Sequence, residues 1–223
     1  MKTIVFINSN KTGSSREAIR AADKMGYFTV LLTDKLSFLN QSGFPEIKLV
    51  KRVNLNDMDE LRRVIKRLNQ GKFDIKCIIS FVDQYCYVAA QLAEEFGINK
   101  FTIDGIMTME DKILSRKAIK DSPYSPKFLK LDPHESINTR EVKKLIPFML
   151  KSPSSAGSKD VFKIKNMDEF NTYRKRLTRK YPKEPLLLEE FLDGPQYLVE
   201  CVVINKKVHI IAVNEQEITL YNR

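Results

Sequence analysis

The sequence predicts an α/β protein that begins with a Rossmann-like, doubly wound domain. Apolar runs of strand length alternate with amphipathic segments of helix length over the first hundred or so residues, and turn residues separate them. Beyond this region the pattern changes to short strands that pair as neighbours. The chain has 223 residues, of which 43% are hydrophobic, so it is long and apolar enough to bury a sizeable core.

The first domain is predicted from strands and helices that follow one another in turn. The strands are Thr3 to Ile7, Phe28 to Leu32 and Ile75 to Phe81, and the helices are 16–25, 57–68 and 84–96. Ser14 is expected to cap the first helix, since Glu17 follows three residues later, and Asn56 or Asp57 the second. Strands separated by helices of this length predict βαβ crossovers and a parallel sheet.

Ligands of a parallel sheet bind beyond the carboxyl ends of its strands. These ends carry Asn8, Ser9, Asn10, Asp34 and Asp83. The turn after the first strand lacks the glycine-rich fingerprint of dinucleotide-binding domains. We therefore expect the first domain to support a substrate rather than to hold the nucleotide.

From about residue 107 the order of elements changes. Three helices are predicted, from Thr108 to Lys120, from Glu135 to Leu145 and from Met167 to about Lys180. Thr108 and Asp111 form a capping pattern for the first of them, and Asn166 caps the third. The predicted strands run from Pro126 to Leu131, Phe148 to Lys151, Val161 to Ile164, Pro185 to Leu192, Tyr197 to Ile204 and Val208 to Val213. The last two strands predict an antiparallel hairpin.

One lysine followed by a loop of small residues indicates a phosphate site. Lys151 ends an apolar run, and Ser154, Ser155, Gly157 and Ser158 follow it. Small residues let backbone N–H groups close on phosphate oxygens, while the ammonium group supplies positive charge. The segment therefore predicts a nucleotide site.

The net charge of +10 raises the question of a nucleic acid partner. The basic residues gather mainly on two predicted helices, 61–67 and 173–180, where they alternate with apolar positions. Such alternation is typical of a solvated helix face, and no aromatic platform for bases accompanies it. The pattern disfavours nucleic acid, and the binding of small anions explains part of the charge.

Cysteine, histidine and hydropathy exclude several other classes. Cys77, Cys86 and Cys201 show no CxxC spacing, which argues against a disulfide framework or a zinc site. His134 and His209 lie far apart and lack further ligands at metal-binding spacing. No apolar run approaches the length of a membrane span, and the start shows no secretory pattern, so we expect a cytoplasmic protein without a membrane partner.

Three motifs, taken in order, resemble those of the ATP-grasp superfamily, which includes biotin carboxylase, D-alanine ligase and bacterial L-amino-acid ligases. The first, residues 109–116, resembles the helix whose lysine reaches the nucleotide phosphates. The resemblance implies that Lys112 is a phosphate ligand and Arg116 a supporting charge. Without the resemblance, the spacing of Asp111, Lys112 and Arg116 would predict only an exposed helix face.

The second motif joins Lys151 to the small-residue loop and resembles the family's strand lysine and phosphate-covering loop. The resemblance places Lys151 near the α-phosphate and adenine, and the serines and glycine of the loop near the outer phosphates. Asp160 stands where the family commonly has glycine. Because a carboxylate repels phosphate, Asp160 is expected to turn away, or else loop closure is weakened.

The third motif, residues 186–192, resembles the hinge strand that holds adenine. The resemblance implies that adenine meets the Glu190 carbonyl and the Leu192 amide beside Phe191, and that Glu189 accepts from the adenine amino group. The family often places a glutamate on the ribose hydroxyls shortly afterwards. Gln196 occupies that place here, which predicts weaker ribose binding.

The resemblance implies a Rossmann-like domain over residues 1–107, an ATP-grasp small lobe with its linking helix over 108–188, and the hinge with the start of the large lobe over 189–223. It implies a ligase that activates a carboxylate as an acyl phosphate for attack by an amine, with ATP and Mg²⁺ as cofactors and small-molecule carboxylate and amine substrates. The family's metal ligands are expected beyond residue 223, so the chain is predicted to be truncated and inactive alone. The resemblance assigns no catalytic residue within the chain.

The sequence also allows two other functions. The chain can be a non-catalytic nucleotide-binding or regulatory module, which would lack the metal ligands altogether. It can also belong to a ligase of the carbamoyl-phosphate synthase kind, which shares the same motifs. A homodimer is also open.

Overall fold

In a computed structural model, the protein forms two compact units, Met1–Ile119 and Lys120–Arg223. The structure describes residues 1–40, 43–98, 101–133, 135–136, 138–152 and 160–217. The finer division at residues 107 and 188 stays a prediction.

The first unit is an open parallel sheet with helices on both faces. Its elements are β1 (Lys2–Ile7), α1 (Ser14–Lys24), β2 (Phe28–Thr33), β3 (Leu49–Arg52), α2 (Met58–Gln70), β4 (Asp74–Ile79), α3 (Cys86–Glu95), α4 (Ile103–Glu110) and α5 (Lys112–Ala118). The strand order is β3-β2-β1-β4, and every pair is parallel. The predicted doubly wound domain is thereby confirmed.

Alternation along the strands divides the apolar residues between two cores. Val5 and Ile7 of β1 pack in the core that includes Leu61 of α2 and Leu92 of α3. Phe6, between them, packs in the core that includes α1. Because successive side chains of a strand point to opposite faces, a continuous apolar run buries both faces of the sheet.

Two local features of the first unit differ from the sequence predictions. β3 was not predicted, because four residues ending in Lys51 and Arg52 carry little apolar pattern. Ser14 is the first residue of α1 rather than its cap. The N-cap residue is Gly13, whose φ of 82° suits a residue without a Cβ.

The helix predicted over 108–120 is two helices. Asp111 has extended backbone angles and lies between α4 and α5. Its carboxylate accepts hydrogen bonds from the N–H groups of Ile113 and Leu114, at 2.7 and 2.9 Å. Asp111 therefore caps a new helix, which begins at Lys112, instead of completing a capping pattern with Thr108.

The second unit contains an antiparallel sheet and a separate hairpin. Its elements are β5 (Phe128–Leu131), α6 (Thr139–Leu145), β6 (Phe148–Lys151), β7 (Val161–Ile164), α7 (Met167–Lys180), β8 (Leu186–Glu190), β9 (Gln196–Ile204) and β10 (Lys207–Gln216). The larger sheet has the order β5-β8-β6-β7, and β9 pairs with β10. None of the helices within the described ranges is long and apolar enough to span a membrane.

The larger sheet has one face that packs on helices. Phe148 and Leu150 of β6 and Leu188 of β8 are at most 1% exposed and belong to one core with Phe170 and Leu177 of α7. The residues between them on each strand point to the other face. That second face carries Met149, Lys151, Lys163 and Glu189.

Element boundaries in the second unit follow local chemistry. The predicted bounds of β6, β7 and α7 are confirmed, and Asn166 accepts a hydrogen bond from the Glu169 N–H group as the cap of α7. α6 begins at Thr139, four residues later than predicted, because Asn138 caps it. The hairpin turn consists of Asn205 and Lys206, both with positive φ, as a tight two-residue turn requires.

The two faces of the larger sheet predict unequal effects of truncation. Leu150→Ala removes a fully buried side chain and should lower the free energy of unfolding by about 2–5 kcal/mol. Lys130→Ala, on the other face and in an exposed ion pair with Asp132, should change it by less than about 0.5 kcal/mol. Urea unfolding of the two variants measures this difference, and equal losses would contradict the assignment of the faces.

Candidate nucleotide site

A lysine and a glutamate that the sequence singled out meet on the second face of the larger sheet. The Lys151 Nζ lies 2.8 Å from the Glu189 Oε2. The side chain of Glu189 is 7% exposed and that of Lys151 19%. In the register, Met149 pairs with Glu189 and Lys151 with Leu187, so the two charged residues are diagonal neighbours across adjacent strands.

Apolar residues surround this ion pair on the same face. Leu187, opposite Lys151, is fully buried. Val161, the first residue of β7, also pairs with Lys151, and Met149 lies two residues before Lys151. A purine ring needs an apolar surface with a few polar groups at its edge, and this face offers both.

The segment after β8 is fixed at its start by two hydrogen bonds. The Glu190 N–H donates to the Lys127 carbonyl at 2.8 Å, and the Glu190 carboxylate accepts from the Lys127 N–H at 3.0 Å. The chain then leaves the sheet through Phe191, which is half-buried, and Leu192, which is exposed. The Glu190 side chain therefore binds the backbone of Lys127. Of the two groups of Glu190, only the backbone carbonyl is left for the predicted contact with adenine.

Lys163 and Phe191 form a second contact on this face. The Lys163 Nζ lies 3.4 Å from the centroid of the Phe191 ring. Lys163 pairs with Met149, which in turn pairs with Glu189, so the three residues form one row across the sheet. Lys163 was not among the predicted site residues. Alternation along β7 would have shown its face, but its neighbours depend on the pairing of the strands.

Asp160 lies immediately before β7 and has a positive φ of 54°. Its carboxylate accepts hydrogen bonds from the Lys180 ammonium at 2.6 Å and the Tyr181 hydroxyl at 2.7 Å. The hydrogen bond from Lys180, followed by that from Tyr181, holds the pKa of Asp160 below its ordinary value. Its negative charge is thus paired at the carboxyl end of α7.

Lys112 lies in the first unit, as the first residue of α5, and is half-buried. Two residues earlier, the Glu110 carboxylate accepts a hydrogen bond from the Tyr87 N–H at 3.2 Å, near the start of α3. Burial raises the pKa of Glu110, and the charge of Asp83 raises it further. These contacts connect the α4–α5 corner to the helix that follows β4.

The remaining predicted site residues are the four residues of the small-residue loop and Gln196. Ser154, Ser155, Gly157 and Ser158 lie outside the described residues. Gln196 begins β9, is exposed and pairs with Gln216 of β10. Over the described ranges, no group of three or more His, Cys, Asp and Glu side chains is arranged to hold a metal ion.

Family models match both parts of the chain. The ATP-grasp N-terminal domain matches residues 19–99, and the ATP-grasp domain matches residues 109–223. The second match alone spans more than half of the 223 residues. The chain belongs to the ATP-grasp family, as the three sequence motifs indicated.

Individual relatives agree with this assignment. The ATP-grasp enzyme fsqD of Aspergillus fumigatus is 22% identical over 210 residues, which is 92% of this chain and 36% of the relative. An L-amino acid ligase of Bacillus licheniformis matches 96% of this chain and 50% of its own, with a TM-score of 0.73 and 15% identity. The biotin carboxylase domain dimer of Hydrogenobacter thermophilus 2-oxoglutarate carboxylase, solved with MgADP, matches 96% of this chain and 50% of its own, with a TM-score of 0.68 and 17% identity. The chain thus spans half or less of each relative's length.

The Asp160 contacts predict a pH-dependent contribution to stability. Because the folded pKa lies below the ordinary value of 3.8, the contribution is present above that pH and is lost as the pH falls through the folded pKa. Asp160→Asn should therefore lower the urea midpoint at pH 7, and the difference from the wild type should shrink below about pH 4. Asp168→Asn, on the exposed first turn of α7, serves as control. A difference for Asp160→Asn that is the same at pH 7 and pH 3 would contradict the ion pair.

Proposed function

We propose that this chain supplies the ATP-binding part of an ATP-dependent carboxylate–amine ligase. The observation that carries the proposal is the contact between Lys151 and Glu189 on a sheet face that is not used for packing on α6 and α7. Family membership and the fold shared with an L-amino acid ligase support the reaction class.

The ion pair fits a nucleotide in two ways. The Lys151 ammonium offers charge-assisted hydrogen bonds to a phosphate, and the Glu189 carboxylate accepts from an amino group of the base. Because the pair is largely buried, its electrostatic field is weakly screened by water. The partly exposed apolar side chains of Met149 and Val161 would contact the base.

In the proposed reaction, a carboxylate oxygen of the substrate attacks the γ-phosphorus of ATP, and the bond to the bridging oxygen breaks to release ADP. The nitrogen of the amine then attacks the acyl carbon of the acyl phosphate. Phosphate leaves, and the nitrogen loses a proton as the amide forms. Phosphoryl transfer requires mainly positioning and charge from the protein, which is what Lys151 would provide.

Mg²⁺ is the metal that this chemistry implies, since it neutralises phosphate charge when bound with ATP. The MgADP in the 2-oxoglutarate carboxylase domain supports it for that relative. The described residues offer no cluster of metal-ligating side chains. We therefore assign no residue of this chain to the metal.

Replacement of Lys151 tests the proposal. Calorimetric titration with ATP and Mg²⁺ should show binding by the wild-type chain. Lys151→Ala should weaken it by at least about 30-fold, because the loss of a charged partner of a phosphate in a largely buried site costs about 2 kcal/mol or more. Lys130→Ala, which removes an exposed lysine from the same face, should bind ATP as the wild type does.

The Lys151→Ala variant leaves Glu189 buried without its lysine, which can unfold the second unit. The double variant Lys151→Met/Glu189→Gln removes both charges, so it should fold and still fail to bind ATP. Wild-type affinity in a folded Lys151 variant would contradict the site. Absence of ATP binding by the wild-type chain would contradict the proposed function itself.

Gln196 gives an independent test of the ribose position. Glutamine can hydrogen-bond to a ribose diol but brings no negative charge. Gln196→Glu should tighten ATP binding by about threefold to tenfold, in line with the greater strength of charge-assisted hydrogen bonds. Calorimetry measures the change, with Gln216→Glu, the paired position on β10, as control. Unchanged or weaker binding by Gln196→Glu would remove Gln196 from the site.

A further inference from the structure

The contact between Lys163 and Phe191 joins two segments that are distant in the sequence. Lys163 is in β7, the edge strand of the larger sheet, and Phe191 is the first residue after β8. β6 lies between these two strands. The Lys163 side chain therefore extends along this row, past β6 towards the end of β8, and its ammonium lies 3.4 Å from the ring centroid.

The aromatic ring is the partner that the structure gives to this ammonium group. Within the described residues, Lys163 forms no ion pair, whereas Lys151 on the same face is paired with Glu189. A lysine over an aromatic ring contributes about 0.5–1 kcal/mol at exposed sites and more when the pair is desolvated. Phe191 is half-buried and Lys163 is exposed, so the contact favours this position of the ring by about 0.5–1 kcal/mol.

We propose that Lys163 is a positioning residue for the adenine base: its ammonium holds the Phe191 ring, and the ring holds the backbone of residues 190–192 where adenine would meet it. This inference rests on the proposed function. The start of this segment is already fixed by the two hydrogen bonds between Glu190 and Lys127. The cation–π contact fixes the next residue, so the Leu192 amide is presented at a constant distance from the site face.

The alternative to this positioning role is that Lys163 binds phosphate directly. Lys163 lies on the same face as Lys151, so its charge can also attract a polyphosphate. The two roles differ in their ligand dependence. A residue that acts through Phe191 on the base affects adenosine and ATP alike, whereas a phosphate ligand affects ATP only.

Calorimetric titration with adenosine and with ATP separates these roles. Lys163→Met keeps the length of the side chain but removes the charge, and Phe191→Leu removes the ring. Each should weaken adenosine and ATP binding by the same factor, about twofold to fivefold. The double variant should show no further loss, because either change already removes the contact. Lys163→Arg should retain wild-type affinity, since guanidinium also packs over aromatic rings.

Four outcomes would overturn the inference. A loss for ATP with adenosine unchanged would make Lys163 a phosphate ligand, and losses that add in the double variant would show independent roles. Unchanged affinity in Lys163→Met would give the contact no role in binding. In these three cases the wild-type chain still binds ATP, so the proposed function stands. A wild-type chain that binds neither ligand would overturn both. The urea midpoint of each variant shows that the comparison is made between folded proteins.

Discussion

A carboxylate inside a protein must be paired, and the Glu189 carboxylate is 7% exposed on a strand that has neighbours on both sides. Its partner is Lys151, two strand positions away from the residue directly opposite. This requirement fixes the register of β6 against β8, because a shift of one residue would turn Lys151 towards the apolar core. The same register places Met149 opposite Glu189, and the pairing of β7 with β6 adds Lys163 to that row.

The sequence predicted those parts of the fold that depend on local chemistry. α7 has a cap at Asn166 and apolar residues at helical spacing, so its bounds were predictable. The break between the two helices at Asp111 could not be predicted. An aspartate within a helical pattern resembles an ordinary first-turn acid, and only the folded structure shows that it caps a second helix. β3 escaped prediction for a related reason, since a short edge strand is defined by its pairing with β2 rather than by its own residues.

The candidate site shows the same division. Lys151 and Glu189 were singled out by their motifs, but their contact joins residues 38 positions apart and depends on strand register. Lys163 had no motif, and a lysine on an edge strand is ordinarily a solvated residue. Its position beside Phe191 follows from β7 lying next to β6, which the sequence suggested only as two short apolar runs. Lys151 and Glu189 could therefore be predicted as site residues, whereas the row of Lys163, Met149 and Glu189 across the sheet could not.

The basic charge of the chain has two separate structural explanations. On the site face, Lys151 and Lys163 outnumber Glu189, which leaves a positive surface suited to a small anion. On α7, acidic residues occupy the first turn and Arg179 and Lys180 the last, an arrangement that the helix dipole favours. Lys180 is further paired with Asp160. These cations stabilise a helix end or face a compact site, so neither group by itself indicates a polyanionic partner.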